Sequence, residues 1–248
     1  MNLLETMPFY LEGLLAISDL RGNYKSALLA TKEAEDNFQY IVFMGNLVDG
    51  GDQPFETLEH VYSLLERNKA VCIISEKDAE WYFHIKQKKE FTNACMCDTI
   101  SKVHESLISE FEEMYISIFE HDNSHYTFTI DQWHFASGSI PLDLLVLPCE
   151  NISKENIDII MGKNTSEGKE KYQWVDEVPR GYKVIVGNDS CPFGKKFDSR
   201  PEIVCGAQRG LVIFSDTGCG EREDGVLTAT SLLYSEGEIT FERFITYK

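Results

Sequence analysis

Three short stretches carry the residue types from which a reactive centre could be built. They are Asp19-Leu20-Arg21-Gly22-Asn23, Gly45-Asn46-Leu47-Val48-Asp49-Gly50-Gly51 and Ser75-Glu76-Lys77-Asp78, and each directly follows an apolar run of β type. Asp19, Asp49 and Glu76 offer carboxylate oxygens, the ligand class that hard divalent cations take. Arg21 and Lys77 offer fixed cations, the class that binds phosphate. Arginine cannot ligate a divalent ion, and lysine does so only when deprotonated. The two chemistries therefore compete for one set of loops.

The elements that must position these loops follow a repeating pattern. Leu14–Ser18 reads as a buried strand that ends in a tight Asp-x-x-Gly loop. Residues Tyr24–Asp36 then place Tyr24, Ala27, Leu28, Thr31 and Ala34 at helical spacing. A strand over Tyr40–Met44 passes through the glycine-rich loop into a helix over Phe55–Arg67. A third strand, Ala70–Ile74, passes through Ser75–Asp78 into a helix over Ala79–Lys88. Three strand–loop–helix units in succession predict a parallel sheet with crossover helices, and in such sheets ligands sit beyond the carboxyl ends of the strands. All three polar stretches fall at those ends.

Asp98–Glu120 is a long amphipathic segment, read as one or two helices, with Glu105, Glu110, Glu112 and Glu113 among its polar residues. The second half alternates as strands do, over His125–Ile130, Trp133–Ser137, Tyr182–Val186, Leu211–Ser215, Leu227–Tyr234 and Ile239–Ile245. It predicts a mainly antiparallel half, with a polar surface helix and loop within Pro148–Glu177. The whole reads as a single domain over residues 1–248 with a helical insertion at about 98–120.

In order and spacing the three loops resemble the DxHG, GDxxDRG and GNHE/D signatures of the calcineurin-like metallophosphoesterases, in the branch of bacterial and phage protein phosphatases and diadenosine tetraphosphatases. Three later segments extend the resemblance over nearly the whole chain. Phe135-Ala136-Ser137-Gly138-Ser139-Ile140-Pro141 is similar to HAGIxP, and Val184–Asp189 sits where a strand runs into GHT. Ile213–Gly220 followed by Leu227-Thr228-Ala229 is similar to the closing IDTGxxxGGxLTA. The resemblance implies an α/β class with two facing sheets flanked by helices, an α/β/β/α sandwich. It also implies a centre of two divalent ions, which lower the pKa of bridging water and polarise the phosphoryl oxygens, so that each residue holding them has a chemical role.

Mapped onto that pattern, the ligands are exchanged. Asp19 is kept, but Arg21 stands at the DxH histidine and Asn46 at the bridging aspartate. Glu76 stands at the GNH asparagine and Lys77 at its histidine; Gly50 replaces the DRG arginine and Asn188 the GH histidine. His134 lies one residue before the HAG position, which falls on Phe135. The remnant site is thus Asp19, Arg21, Asn46, Asp49, Glu76, Lys77, His134 and Asn188, with Asp19 and Glu76 the residual metal candidates. No catalytic residue and no cofactor are expected; manganese or another divalent metal enters if the site is active. Arg21 and Lys77 could bind phosphate without metal, or one of them could pair with Asp19 and fill the site with a salt bridge.

Bulk properties narrow the partners. Against 41 acidic residues stand 23 basic ones, a net charge of −18 that repels nucleic acid and anionic membranes. No run is long and apolar enough for a membrane span, and the first residues lack a secretory pattern, so a cytoplasmic protein is expected. Seven cysteines, of which only Cys95-Met96-Cys97 are close in sequence, fit reduced thiols better than a zinc framework. His60, His84 and His104 read as surface or core-edge residues, and no Ser/His/Asp arrangement is discernible. Asp216-Thr217-Gly218 reads as a turn. The expectation is a degenerate phosphatase acting as a binding or scaffolding subunit, with a protein partner or a homo-oligomer. The alternatives are a divergent metal-dependent phosphatase of phosphoprotein or nucleotide, and a metal-free sensor of a phosphorylated ligand.

Overall fold

The protein is described by a computed structural model over residues 11–91, 93–138, 172–187, 200–219 and 225–247. Its first sheet is built on three strands, β1 (Gly13–Ile17), β2 (Gln39–Phe43) and β3 (Ala70–Ile73), every residue of which is buried. Burial on both faces explains their continuous apolar sequences. They pair in parallel, and a two-residue strand β4 (Ser124–His125) continues the parallel edge beside β3. On the other side of β1 lie the antiparallel strands β10 (Leu227–Ser235) and β11 (Glu238–Tyr247), giving the order β11-β10-β1-β2-β3-β4.

The crossovers are α1 (Tyr24–Asp36), α2 (Pro54–Glu66) and α3 (Glu76–Lys86). Proline at the start of α2 removes one amide that would lack an intrahelical partner. Helix α3 begins three residues earlier than its apolar spacing suggests. Ser75 and Asp78 form a reciprocal capping box, each side chain accepting the other's backbone N–H, so the expected loop is the first helical turn. Beyond it, the amphipathic segment divides into α4 (Ala94–Ser101), a 3₁₀ turn over Glu105–Leu107 and α5 (Ile108–Phe119).

The second sheet has the order β5-β6-β7-β9-β8, from β5 (Thr127–Ile130), β6 (Trp133–Ala136), β7 (Lys183–Val186), β8 (Glu202–Cys205) and β9 (Leu211–Phe214). Here the expected antiparallel half is corrected. Strands β6, β7 and β9 run parallel, and only the edge strands β5 and β8 are antiparallel to their neighbours. The parallel run needs cover on its outer face. The short helix α6 (Gln173–Glu177) provides part of it, with Tyr172, Val175 and Val178 packed on Ala136, Val184, Val186, Val212 and Phe214.

Strand alternation sorts the core into layers. Leu15, Ile17, Ile41, Phe43 and Cys72 face the helices, while Leu14, Ala16, Val42, Met44, Val71 and Ile73 meet Phe128, Trp133, Phe135, Ile185 and Ile213 of the second sheet. The result is a mixed two-sheet sandwich between helices. At roughly 25 cal/mol per Å² of apolar area, this inter-sheet layer is a main source of stability. It brings the carboxyl ends of β1, β2, β3, β7 and β9 to one edge.

Candidate functional site

Asp19 leaves the end of β1 and is fully buried. Its loop is zipped to the next one by main-chain hydrogen bonds, from Arg21 N–H to Asn46 O and from Gly22 N–H to Leu47 O, both 2.8 Å. Arg21 and Asn46 both adopt the left-handed region, at φ 48° and 51°. Gly51 returns to donate its N–H to Arg21 O, and a side chain there would lie only 2.5 Å from that carbonyl oxygen. Glycine at 51 is therefore required by close backbone approach. From the second sheet, Gly187 follows β7 so closely that an added Cβ would lie 3.2 Å from Asp19 Oδ2.

The clamp of the site is Asp78. Its Oδ2 accepts from Asn46 N–H (2.8 Å), Ser75 N–H (3.0 Å) and Ser75 Oγ–H (2.6 Å). Its Oδ1 accepts from Leu47 N–H (3.1 Å) and from the Tyr115 hydroxyl of α5 (2.8 Å). A buried carboxylate with this many donors is an anchor rather than a reactive group. Sequence reading left Asp78 without a role of its own, although the Ser-x-x-Asp spacing of a capping box was visible.

The remaining acidic groups are equally held. Asp49 Oδ1 accepts from Trp81 Nε1–H at 2.8 Å. Burial pushes the Asp49 carboxyl above its ordinary pKa, with the charge of Asp78 adding to the rise and the Trp81 bond opposing it. Asp216 follows β9 at the same edge; its Oδ1 accepts from Gly218 N–H (2.9 Å) and its Oδ2 lies 3.5 Å from Arg21 Nη2. In sequence Asp216-Thr217-Gly218 reads as a turn, which the bond from Gly218 N–H closes, and nothing local points to Arg21 as a further partner. The one available signal was an acid directly after a buried strand, at the edge where the other loops gather.

Arg21 is 13% exposed at its side chain. Lys77, at the start of α3, is half-exposed and pairs with Glu80 at 3.2 Å. Partial burial opposes its charge, yet Glu80, Asp49 and Glu76 hold the ammonium pKa above its ordinary value. Where Asp19 is the expected partner of Arg21 or Lys77, the acids seen beside the two cations are Asp216 at Arg21 and Glu80 at Lys77. Asn46 Oδ1 is buried without a hydrogen-bond partner among the described residues. Cys219, beyond β9, is buried against Asn23 Nδ2 at 3.3 Å, and burial raises its thiol to about 11.

His134 does not join the site. On β6 it has the opposite parity to Phe135, so Phe135 fills the layer between the sheets while His134 faces outward and stacks on Tyr182 at 5.4 Å. Thr129 Oγ1 meets its Nδ1 at 3.0 Å, and burial lowers its pKa to about 4. Asn188 lies outside the described residues. Glu76 is half-buried at the first position of α3.

No family model matches the sequence, and no curated protein is detectably similar to it. Solved structures do match. A protein proposed to be a diadenosine tetraphosphatase superposes with a TM-score of 0.59 over 98% of this chain and 96% of its own, at 16% identity. The fold is that of the calcineurin-like metallophosphoesterases. A metallophosphoesterase from Sphaerobacter thermophilus matches at TM-score 0.52 and 14% identity, covering 96% of this chain and 89% of that one. A protein serine/threonine phosphatase from Saccharomyces cerevisiae matches at TM-score 0.55 and 9% identity, covering 96% and 80%.

A metallophosphoesterase fold carries this site at the edge where the strand ends meet, but the donor set does not suit two divalent ions. Arg21 puts a permanent cation among the loops, and Asn46 is neutral where the resemblance puts the bridging carboxylate. Among the described residues no three His, Cys, Asp or Glu side chains converge to hold a metal ion. Two dications need a closed, anionic ligand set to offset their mutual repulsion. Among the described residues no helix is long and apolar enough to cross a membrane.

Proposed function

We propose that this chain is a catalytically degenerate metallophosphoesterase-fold protein, a pseudophosphatase, that works in the cytoplasm as a binding or scaffolding subunit for a protein. The observation that carries this reading is the partly buried Arg21 guanidinium beside Asp216, with neutral Asn46 bonded to the same loop. A guanidinium keeps its charge at any physiological pH, so it is a poor neighbour for a divalent ion. The net charge of −18 favours a basic protein surface as partner over nucleic acid. The same pairings weigh against a metal-free phosphate sensor, because Asp216 and Glu80 already balance the two cations that would bind the phosphate.

The test is metal analysis of protein purified without chelator, joined to phosphomonoesterase and phosphodiesterase assays with manganese and to light scattering for mass. The reading expects substoichiometric metal, no turnover and a mass above that of one chain, alone or with a captured protein. Stoichiometric metal with turnover would establish the divergent phosphatase instead. A lone monomer that inorganic phosphate protects from heat, with protection lost in Arg21→Ala, would establish the sensor.

A further inference from the structure

Helix α5 is a late addition to the sheet-and-crossover plan, yet it reaches the centre of the site. Tyr115, buried on its inner face, donates its hydroxyl to Asp78 Oδ1, and the two oxygens of Asp78 hold the amides of Asn46 and Leu47. Asn46 is the non-glycine residue of that loop in the left-handed region, and Arg21 N–H binds its carbonyl. A second connection runs alongside. The Tyr115 ring stacks on Trp81 at 5.7 Å and 27°, and Trp81 Nε1–H is bonded to Asp49 at the far end of the same loop. Phe111 of α5 closes the Trp81 ring from another side at 5.7 Å.

The loop from Gly45 to Gly51 therefore depends on α5 at both of its polar positions. A non-glycine residue in the left-handed region persists where its surroundings over-determine it, and here the Asp78 carboxylate and Ser75 Oγ both accept from the Asn46 N–H, at 2.8 and 3.1 Å. The opposite face of α5 carries exposed Glu110 and Glu113. We infer that α5 is the positioning element for the Gly45–Gly51 loop, acting through Asp78 and Trp81, so that a load on the exposed face of α5 is transmitted to Asn46 and Asp49. The inference goes beyond the binding-subunit reading and holds whether or not the site is catalytic. It supplies a two-ended element through which a protein seated on α5 would alter the remnant site.

Native-state hydrogen exchange on the full chain, read residue by residue by NMR, tests it. Tyr115→Phe removes one hydroxyl from the Asp78 anchor and leaves the ring. The amides of Asn46 and Leu47 are expected to exchange about tenfold faster, the effect of one net hydrogen bond, while the β7 amides Val184 to Val186 stay unchanged. Asp78→Asn, which keeps the shape but replaces one accepting oxygen with an NH2 donor, should accelerate the same two amides at least as much. Unchanged exchange at Asn46 and Leu47 in both variants overturns the inference. So does an equal acceleration of every amide, which would mark Tyr115 as ordinary core packing.

Discussion

Arg21 Nη2 stands 3.5 Å from Asp216 Oδ2, joining the loop after β1 of the first sheet to the loop after β9 of the second across 195 residues of sequence. Both side chains are largely withdrawn from water, so each charge depends on its neighbours for compensation. Arg21 thus places a cation built into the chain between a loop of the first sheet and a loop of the second.

The pair should be energetically coupled. Arg21→Gln and Asp216→Asn, measured by urea unfolding singly and together, are each expected to cost about 2 kcal/mol, since each leaves a mostly buried charge with less compensation. The double variant should cost less than the sum by at least about 0.5 kcal/mol. Strict additivity would mean that the two groups merely lie near one another.

His134 should make the protein acid-sensitive in a defined window. Its folded-state pKa is lowered to about 4 from an ordinary value near 6.5, because burial disfavours the imidazolium. A base with a depressed folded value leaves more protons on the unfolded chain, so its contribution is fully present above about pH 6.5 and is lost as pH falls toward 4. At about 1.4 kcal/mol per pH unit, the loss amounts to roughly 3 kcal/mol. His134→Phe retains a ring to stack on Tyr182 and removes the titration. The difference in unfolding free energy between wild type and variant should shrink by that amount from pH 7 to pH 4; a constant difference refutes the assignment.

The parts of the fold visible in the sequence are those whose burial leaves a local pattern. Strands β1, β2 and β3 show as unbroken apolar runs because helices cover one face and the second sheet the other, and α1 shows as apolar spacing over Tyr24–Asp36. What was hidden depends on distant partners. Strand β8 is edge-placed and half-exposed, and with four residues, Glu202–Cys205, its apolar run is too short to stand out. The parallel alignment of β6 with β7 joins residues about fifty positions apart, and nothing local announces it. Asp216 becomes Arg21's partner only after both sheets are assembled. His134 is a different case, since strand alternation against Phe135 already placed its side chain on the outer face.

Restoring the family's site residues should work only as a set. Asn46→Asp, Arg21→His, Lys77→His and Asn188→His together return the donor types that the family pattern carries, and isothermal titration with manganese should then show binding absent from the starting protein. Asn46→Asp alone adds a carboxylate that Arg21 can neutralise, and Arg21→His alone leaves Asn46 without the bridging charge. No single change is expected to yield measurable affinity. A single variant that binds as well as the quadruple one would show that only one ligand had been missing.

The acidic helical face offers the most direct test of a binding role. Glu105, Glu110 and Glu113 are exposed and Glu112 is half-buried, all on the segment whose inner residues Phe111, Met114, Tyr115 and Ile118 are committed to the core. Their charges can therefore be reversed without disturbing the packing that holds α5 in place. A partner drawn by this field should associate more slowly when all four are changed to lysine, and the wild-type rate should itself fall as salt rises, because screening reaches about 10 Å at 0.1 M. Stopped-flow mixing with the purified partner measures both. Dissociation should change little, and circular dichroism should show the fold retained. An association rate indifferent both to the four reversals and to salt would place the binding surface elsewhere on the molecule.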